Sequence, residues 1–365
     1  MFELDSRNCI AGWFFTKDNF SEAVSDGLML NPSIDLTNAC NLNCSYCYIE
    51  ERNSGRKLRR PNEITLDESL RVIDDMYECG AKTINIVGAG EPTIDPHFDE
   101  IVSYINAKGL WTVLFTNGIT MANDPALVRR LYSMRVSVIL KFNSLSKETQ
   151  DLVAGRDGYS ERRDKALQLF IDAGFCSYVP TRLGVDIIVF KGNLDEIPSI
   201  QEWCRVQNIF PIAGEFIPTG RTEAGQFHGF AALAQMETSQ RDKAAKLLQP
   251  LAPDERVELV GKLADVDRKY GIERPGCFAY FGGGICSQIL GLYVDIEGNI
   301  WPCVARKKIE GAQFTNGLLG NTRRGDLPSK VWKEDPYINT IRIGFDGGCP
   351  YKAFLGSRAD IRIRS

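Results

Sequence analysis

Cys40-Asn41-Leu42-Asn43-Cys44-Ser45-Tyr46-Cys47 places three thiols in eight residues, with the spacing C-x3-C-x2-C. Thiolates are soft ligands and suit iron–sulfur clusters, copper(I) or zinc. A [4Fe–4S] cluster held by three cysteines keeps one iron without a protein ligand, and that iron can take a substrate or a cofactor. Just upstream, Ser33-Ile34-Asp35-Leu36-Thr37 reads as a short buried strand ending in polar residues. The thiols therefore stand on a loop past the C-terminal end of a strand. In barrels of parallel strands that is the face on which chemistry is built. A structural zinc would need a fourth ligand, and the two histidines, His97 and His228, are far away in sequence. Three buried structural thiols are the other alternative.

Outward from this loop, strands and helices alternate. Thr65 and Glu68 form a capping-box pair that opens a helix, Leu66, Leu70, Ile73 and Met76 or Tyr77 give it an apolar face, and Gly80 closes it. Strands are expected at 82–87, 111–116, 136–140, 183–189 and 210–217. Helices are expected near 97–108, 125–134, 160–173 and 194–207. With the first strand this makes six β/α units, which argue for a parallel sheet with outer helices. Only six strands precede the break in the pattern, so a curved, open barrel fits better than a closed eight-stranded one. Residues 1–32 are a lead-in whose aromatic group, Trp13, Phe14, Phe15 and Phe20, is expected to pack on the barrel. Residues 33–220 form the partial barrel. Residues 221–275 read as a helical bridge or insert covering one barrel end, with an amphipathic helix from Pro253 to Tyr270. Residues 276–365 change character, with several cysteines, many glycines and short strands, and read as a second, smaller α+β domain.

Composition narrows the function. The chain has 365 residues, 44% apolar and 25% charged, in the ordinary range for a globular protein. A net charge of −4 argues against a general nucleic-acid binder. No apolar run approaches the ~20 residues needed to span a bilayer, and Met1–Arg7 carries no signal-peptide core. Eleven cysteines in such a chain point to a reducing, cytoplasmic setting, where metal ligation or catalysis is the expected use of thiols.

The pattern C-x3-C-x-aromatic-C after a first strand resembles the signature of the radical S-adenosylmethionine (radical SAM) superfamily. The resemblance implies a [4Fe–4S] cluster on Cys40, Cys44 and Cys47, whose open iron binds the amino and carboxylate groups of SAM. Gly88-Ala89-Gly90-Glu91 after the second strand resembles the family's GGE motif, with alanine in place of its first glycine. It implies that Gly90 and Glu91 hold the SAM amine. By the same resemblance Thr116 and Asn117 stand near the SAM site, Asn143 and Ser144 bind its ribose, and Arg182 and Asn193, flanking the fifth strand, help bind its carboxylate and adenine region. Tyr46 and Tyr48 are expected beside the cluster and the adenine.

Further on, Cys286 and Cys303 bracket Leu292-Tyr293-Val294-Asp295-Ile296-Glu297-Gly298-Asn299-Ile300-Trp301-Pro302. Apolar runs on both sides of Glu297-Gly298-Asn299 mark a hairpin that brings two thiols toward one centre. The spacing C-x11-G-x4-C resembles the SPASM/twitch domains of one radical SAM branch. The resemblance implies an auxiliary [4Fe–4S] cluster on Cys277, Cys286, Cys303 and Cys349. The cysteine-rich run of a full SPASM domain is missing, so a one-cluster twitch is the expectation. A structural zinc or four unrelated buried cysteines is the alternative.

The resemblance further implies an oxidoreductase-like enzyme that splits SAM reductively to a 5′-deoxyadenosyl radical. That radical takes hydrogen from a substrate, giving oxidation, epimerisation or rearrangement. An external donor such as flavodoxin or ferredoxin supplies electrons. The substrate expected first is a small polar molecule of the sugar, aminocyclitol or nucleoside class, since the chain has little room for a leader-peptide-binding domain. A peptide maturase that builds crosslinks or oxidises a residue is the alternative, and a non-catalytic iron–sulfur or zinc protein is a third reading.

Overall fold

The computed structural model describes residues 4–47, 59–216, 238–274, 279–282, 284–286, 290–310, 313–344 and 348–349. Strands β1 (Ser33–Ile34), β2 (Thr83–Ile86), β3 (Trp111–Thr116), β4 (Val136–Lys141), β5 (Leu183–Val189) and β6 (Phe210–Glu215) lie side by side in chain order. All five pairings between them are parallel. Each return is made by a helix on the outer wall, among them Leu66–Glu78, Phe98–Ala107, Pro125–Ser133, Tyr159–Asp172 and Ile197–Gln207. The expected partial barrel is the observed fold.

Local chemistry explains the boundaries. In the helix Leu66–Glu78 the Thr65 hydroxyl accepts from the Glu68 amide, and the Glu68 carboxylate accepts from the Thr65 amide at 2.7 Å. Strand side chains alternate between two layers. In β4, Val136, Val138 and Leu140 face outward into the large core shared with the helices. Ile139 faces inward and packs in the lumen with Val113, Phe210, Ile212 and Trp13. Helices that the pattern did not announce include Lys17–Ser25, Ile119–Asn123, Lys147–Ala154 and Thr238–Leu247.

The lead-in seals the floor of the barrel. Ala11 donates to the Thr181 carbonyl, and the Thr83 and Ser137 hydroxyls donate to the carbonyls of Gly12 and Ala11. All three barrel residues, Thr83, Ser137 and Thr181, stand within two residues of the start of a strand. Trp13 enters the lumen and its indole donates to Asn85 at 2.6 Å. Phe15 and Phe20 pack instead with Leu30, Ile285 and Leu290.

The helix Pro253–Lys269 lies along Ile197–Gln207 on the outer wall rather than over a barrel end. Its buried Asp267 explains why. Gln201, Arg205 and Arg274 all donate to that carboxylate at 2.7 Å.

The C-terminal part continues the same sheet. Strand β7 (Tyr293–Val294) pairs parallel with β1, and β8 (Asn299–Trp301) turns back antiparallel to β7. The turn lies where Glu297-Gly298-Asn299 predicts it. Asp295 accepts from the amides of Glu297 and Asn299, and Gly298 takes φ +79°. Strands β9 (Lys307–Glu310) and β10 (Gln313–Asn316) form a separate hairpin, and β11 (Gly320–Asn321) pairs with β8. Two short helices follow, Pro328–Glu334 and Pro336–Ile343, in the part expected to be a small α+β domain, where the pattern locates no helix.

Candidate active site

The Cys40–Cys47 loop leaves β1 at the C-terminal mouth of the barrel and is stitched to the turns after β2 and β3 and to the end of the helix Lys147–Ala154. Gly90 and Glu91 donate from their amides to the carbonyls of Thr37 and Ala39 at 2.7 and 2.8 Å. Asn43 and Ser45 donate to Ala154 and Val153 at 3.1 and 2.9 Å. Asn117 donates to the Asn41 side chain, and Arg156 to the Asn41 carbonyl, both at 2.7 Å. Two glycines allow this closeness. A Cβ on Gly90 would lie 1.9 Å from the Ala39 carbonyl oxygen, and one on Gly155 would lie 2.3 Å from that of Asn43.

The three thiols are buried together with Leu42, Ile119, Ala154 and Tyr159. Among the described residues, no three His, Cys, Asp or Glu side chains converge as they would around a single metal ion. An iron–sulfur cube is a wider object, and three soft donors on one strapped loop, with Arg156 beside Cys40, suit its chemistry. These residues fit the cluster that the motif implies.

Glu91 is buried, and burial pushes its carboxyl above the usual range. Its carboxylate accepts from the Thr116 and Thr93 hydroxyls at 2.6 and 2.7 Å and from the Asn117 amide at 2.8 Å. It therefore ties the end of β2 to the end of β3. Asn143 and Asn193 join β4 to the segment after β5. The Asn143 side chain accepts from the Ile188 amide, and Asn193 donates to the Asn143 and Ile188 carbonyls. The Ser144 hydroxyl donates to Glu196 at 2.8 Å. Tyr46 is half-buried over this group, with the Lys141 ammonium 5.7 Å from its ring. Tyr48 lies outside the described residues.

Eight of the nine expected cofactor-side residues thus gather at the barrel mouth. Arg182 does not. It precedes β5 and so stands at the opposite end of the barrel. Its guanidinium donates to the carbonyls of Leu131, Tyr132, Met134 and Val136. Those groups include the end of the helix Pro125–Ser133, where unpaired carbonyls attract a cation. Arg182 is a helix-end anchor, not a SAM ligand.

The C-terminal thiols Cys286, Cys303 and Cys349 all lie within electrostatic reach of Tyr280, as does Asp186, and burial first of all holds the Tyr280 hydroxyl far above the usual range. It packs with the apolar lumen group, so these thiols border the same chamber from the other side. Cys277 lies outside the described residues. Cys9, Cys79, Cys176 and Cys204 stand apart, and burial pushes Cys9 up to about 12 and Cys176 to about 11.

Several site residues went unnoticed in the sequence. Lys141 ends β4 and Asp186 lies within β5, and the two form an ion pair. Counting by twos from Ile139 would have placed Lys141 in the lumen. Asp35, fully buried, accepts from the Gly88 amide at 2.8 Å and from the Tyr293 hydroxyl. Arg306 donates to the same hydroxyl at 3.1 Å, while its own amide donates to the Cys303 carbonyl. This chain of contacts runs from the Gly88–Glu91 turn to the loop bearing Cys303.

Comparison with known proteins agrees with this geometry. Residues 34–204 match the family described as the radical SAM superfamily. The chain is 28% identical over 341 residues to the AdoMet-dependent heme synthase of Methanosarcina barkeri, covering 87% of each protein. It is 24% identical over 331 residues to the PqqA peptide cyclase of Bradyrhizobium diazoefficiens, covering 88% of this chain and 77% of that one. Among solved structures, Streptococcus suis SuiB bound to the precursor peptide SuiA aligns with a TM-score of 0.60 at 16% identity. That alignment spans 93% of this chain and 75% of SuiB, a likeness of fold.

Proposed function

Because the chain belongs to the radical SAM superfamily, we propose that it is a peptide maturase, an enzyme that crosslinks or oxidises residues of a peptide substrate. It uses a [4Fe–4S] cluster with SAM, and its C-terminal part is of the SPASM/twitch type that carries auxiliary clusters. Bound at the barrel mouth, the first cluster and SAM would supply the reductive radical chemistry that takes a hydrogen atom from the substrate. In this reading Cys40, Cys44 and Cys47 hold that cluster. Cys286, Cys303 and Cys349, joined by Cys277, hold the auxiliary one. Gly90, Glu91, Thr116, Asn117, Asn143, Ser144 and Asn193 shape the SAM pocket. Their hydrogen bonds to one another fix the strand ends, so they position the pocket as much as line it. The apolar lumen and the sealed floor exclude water from the chamber.

The observation that carries the peptide reading is the match to the PqqA peptide cyclase over 88% of this chain, barrel and C-terminal part together. The fold likeness to SuiB with its bound precursor peptide points the same way. The small polar substrate expected from chain length has less support. A second reading rests on the relative named as a heme synthase, which matches over as much of the chain and favours a small-molecule substrate of the heme type.

Co-expression with any short peptide encoded beside the gene, followed by mass spectrometry, separates the two. A mass change in the peptide that requires Cys40, Cys44 and Cys47 supports the maturase. An unchanged peptide, with a tetrapyrrole or other small metabolite converted instead, overturns it.

A further inference from the structure

The lumen changes character once along its height. The lower layer is apolar: Trp13, Val113, Ile139 and Phe210. One layer up, Lys141 and Asp186 face each other on adjacent strands, in register. The Tyr46 ring of the cysteine loop lies on one side of this pair, and Tyr280, among the C-terminal thiols, on the other. The ion pair is therefore the polar floor of the space between the two cysteine groups. It is not sealed off, since the side chains of Lys141 and Asp186 keep 28% and 12% of their exposure. Beyond Asp186 and the Tyr46 ring, the Lys141 ammonium has no partner among the described residues, and the second oxygen of Asp186 accepts from none of them.

We propose that Lys141 and Asp186 together grip one extended residue of the peptide substrate, Lys141 donating to its carbonyl and Asp186 accepting from its amide. This rests on the peptide reading above and deepens it. In an extended chain the N–H and C=O of one residue point to the same side, so a donor and an acceptor side by side can take both. The pair is neutral overall. An incoming carboxylate would gain from Lys141 roughly what it loses to Asp186, whereas an uncharged amide group meets only complementary partners. Such a grip is indifferent to the side chain of the gripped residue. It would hold the backbone at a fixed height below the cysteine loop, so that geometry decides which C–H is presented. Lys141 and Asp186 are positioning residues in this scheme.

The test uses the reconstituted, SAM-loaded full chain and a pool of synthetic capped hexapeptides deuterated at their α and β carbons. Deuterium appearing in 5′-deoxyadenosine reports hydrogen abstraction from peptide. The expected result is transfer in the wild type. Lys141→Met and Asp186→Leu should each lower it at least tenfold through a raised KM, with iron content and SAM affinity intact. Lys141→Arg, which keeps the donor and the charge, should stay within threefold. Transfer by Lys141→Met with the wild-type KM would overturn the grip and leave the peptide reading standing. No transfer by the wild type from any peptide would overturn the peptide reading, and the grip with it. Transfer restricted to peptides bearing an acidic side chain would also overturn the grip, in favour of carboxylate recognition by Lys141.

Discussion

Glu91 accepts hydrogen bonds from Thr93, Thr116 and Asn117 out of contact with water. Replacing it with alanine takes the acceptor from two hydroxyls and two amides. Bonds to a buried charged group contribute roughly 1.5–3 kcal/mol each and are not additive. Glu91→Ala should therefore destabilise the chain by about 3 kcal/mol in urea unfolding, besides weakening SAM binding in calorimetry; unchanged SAM affinity would remove Glu91 from the pocket. Asp35 makes a pH prediction. Burial raises its carboxyl from 3.8 to about 6. Folding thus favours the protonated form, so its contribution to stability grows as pH falls through 6 and levels off below the unfolded value. Between pH 7 and 5 the wild type should gain about 1 kcal/mol relative to Asp35→Asn, read from paired urea unfolding curves. The position of the cysteines and Glu91 at the barrel mouth was legible because their motifs follow strands, at the ends where a barrel builds its chemistry. Arg182 was misread although the sequence held the clue, since it precedes its strand and the chemistry lies after strands. Lys141 and Asp186 were overlooked because one charge in an apolar strand shows its meaning only when the facing strand is known.

At the scale of elements, the Gly88–Glu91 turn works because two backbones pass closer than any side chain allows. Gly90→Ala puts a methyl 1.9 Å from a carbonyl oxygen, and the Cys40–Cys47 loop must move. The expected outcome is a protein that folds but takes up about four fewer irons on anaerobic reconstitution; full iron content would show that the strap is dispensable. The helix opened by Thr65 was legible because its cap and its apolar period agree. The helices at Pro328 and Pro336 were not, although each begins with a proline at its first position, because seven or eight residues carry too little period to be seen.

At the scale of the molecule, the six β/α units were legible and the way the C-terminal part attaches was not. Composition suggests a boundary near residue 276, yet β7 and β8 belong to the barrel's own sheet. Pairing between residues so far apart leaves no local trace. Two predictions follow from it. Cys286→Ala should lower iron while the first cluster stays, since on the proposed reading it alters a ligand of the auxiliary cluster and no strand; unchanged iron content would count against that reading. A chain ended at residue 275 should lose both clusters, because β1 is two residues long and loses its partner on one side; retention of about four irons by that fragment would show that the barrel stands alone. The same pairing sets a timetable. Ser33 meets Tyr293, which leaves the ribosome about 260 residues later. At ~10 residues per second that is a delay on the order of 25 s. During it the cysteine loop hangs from a half-bordered strand, its thiols within reach of any stray metal or oxidant. Correct loading is therefore a task for the finished chain, and the cell must keep the nascent one from being metallated early.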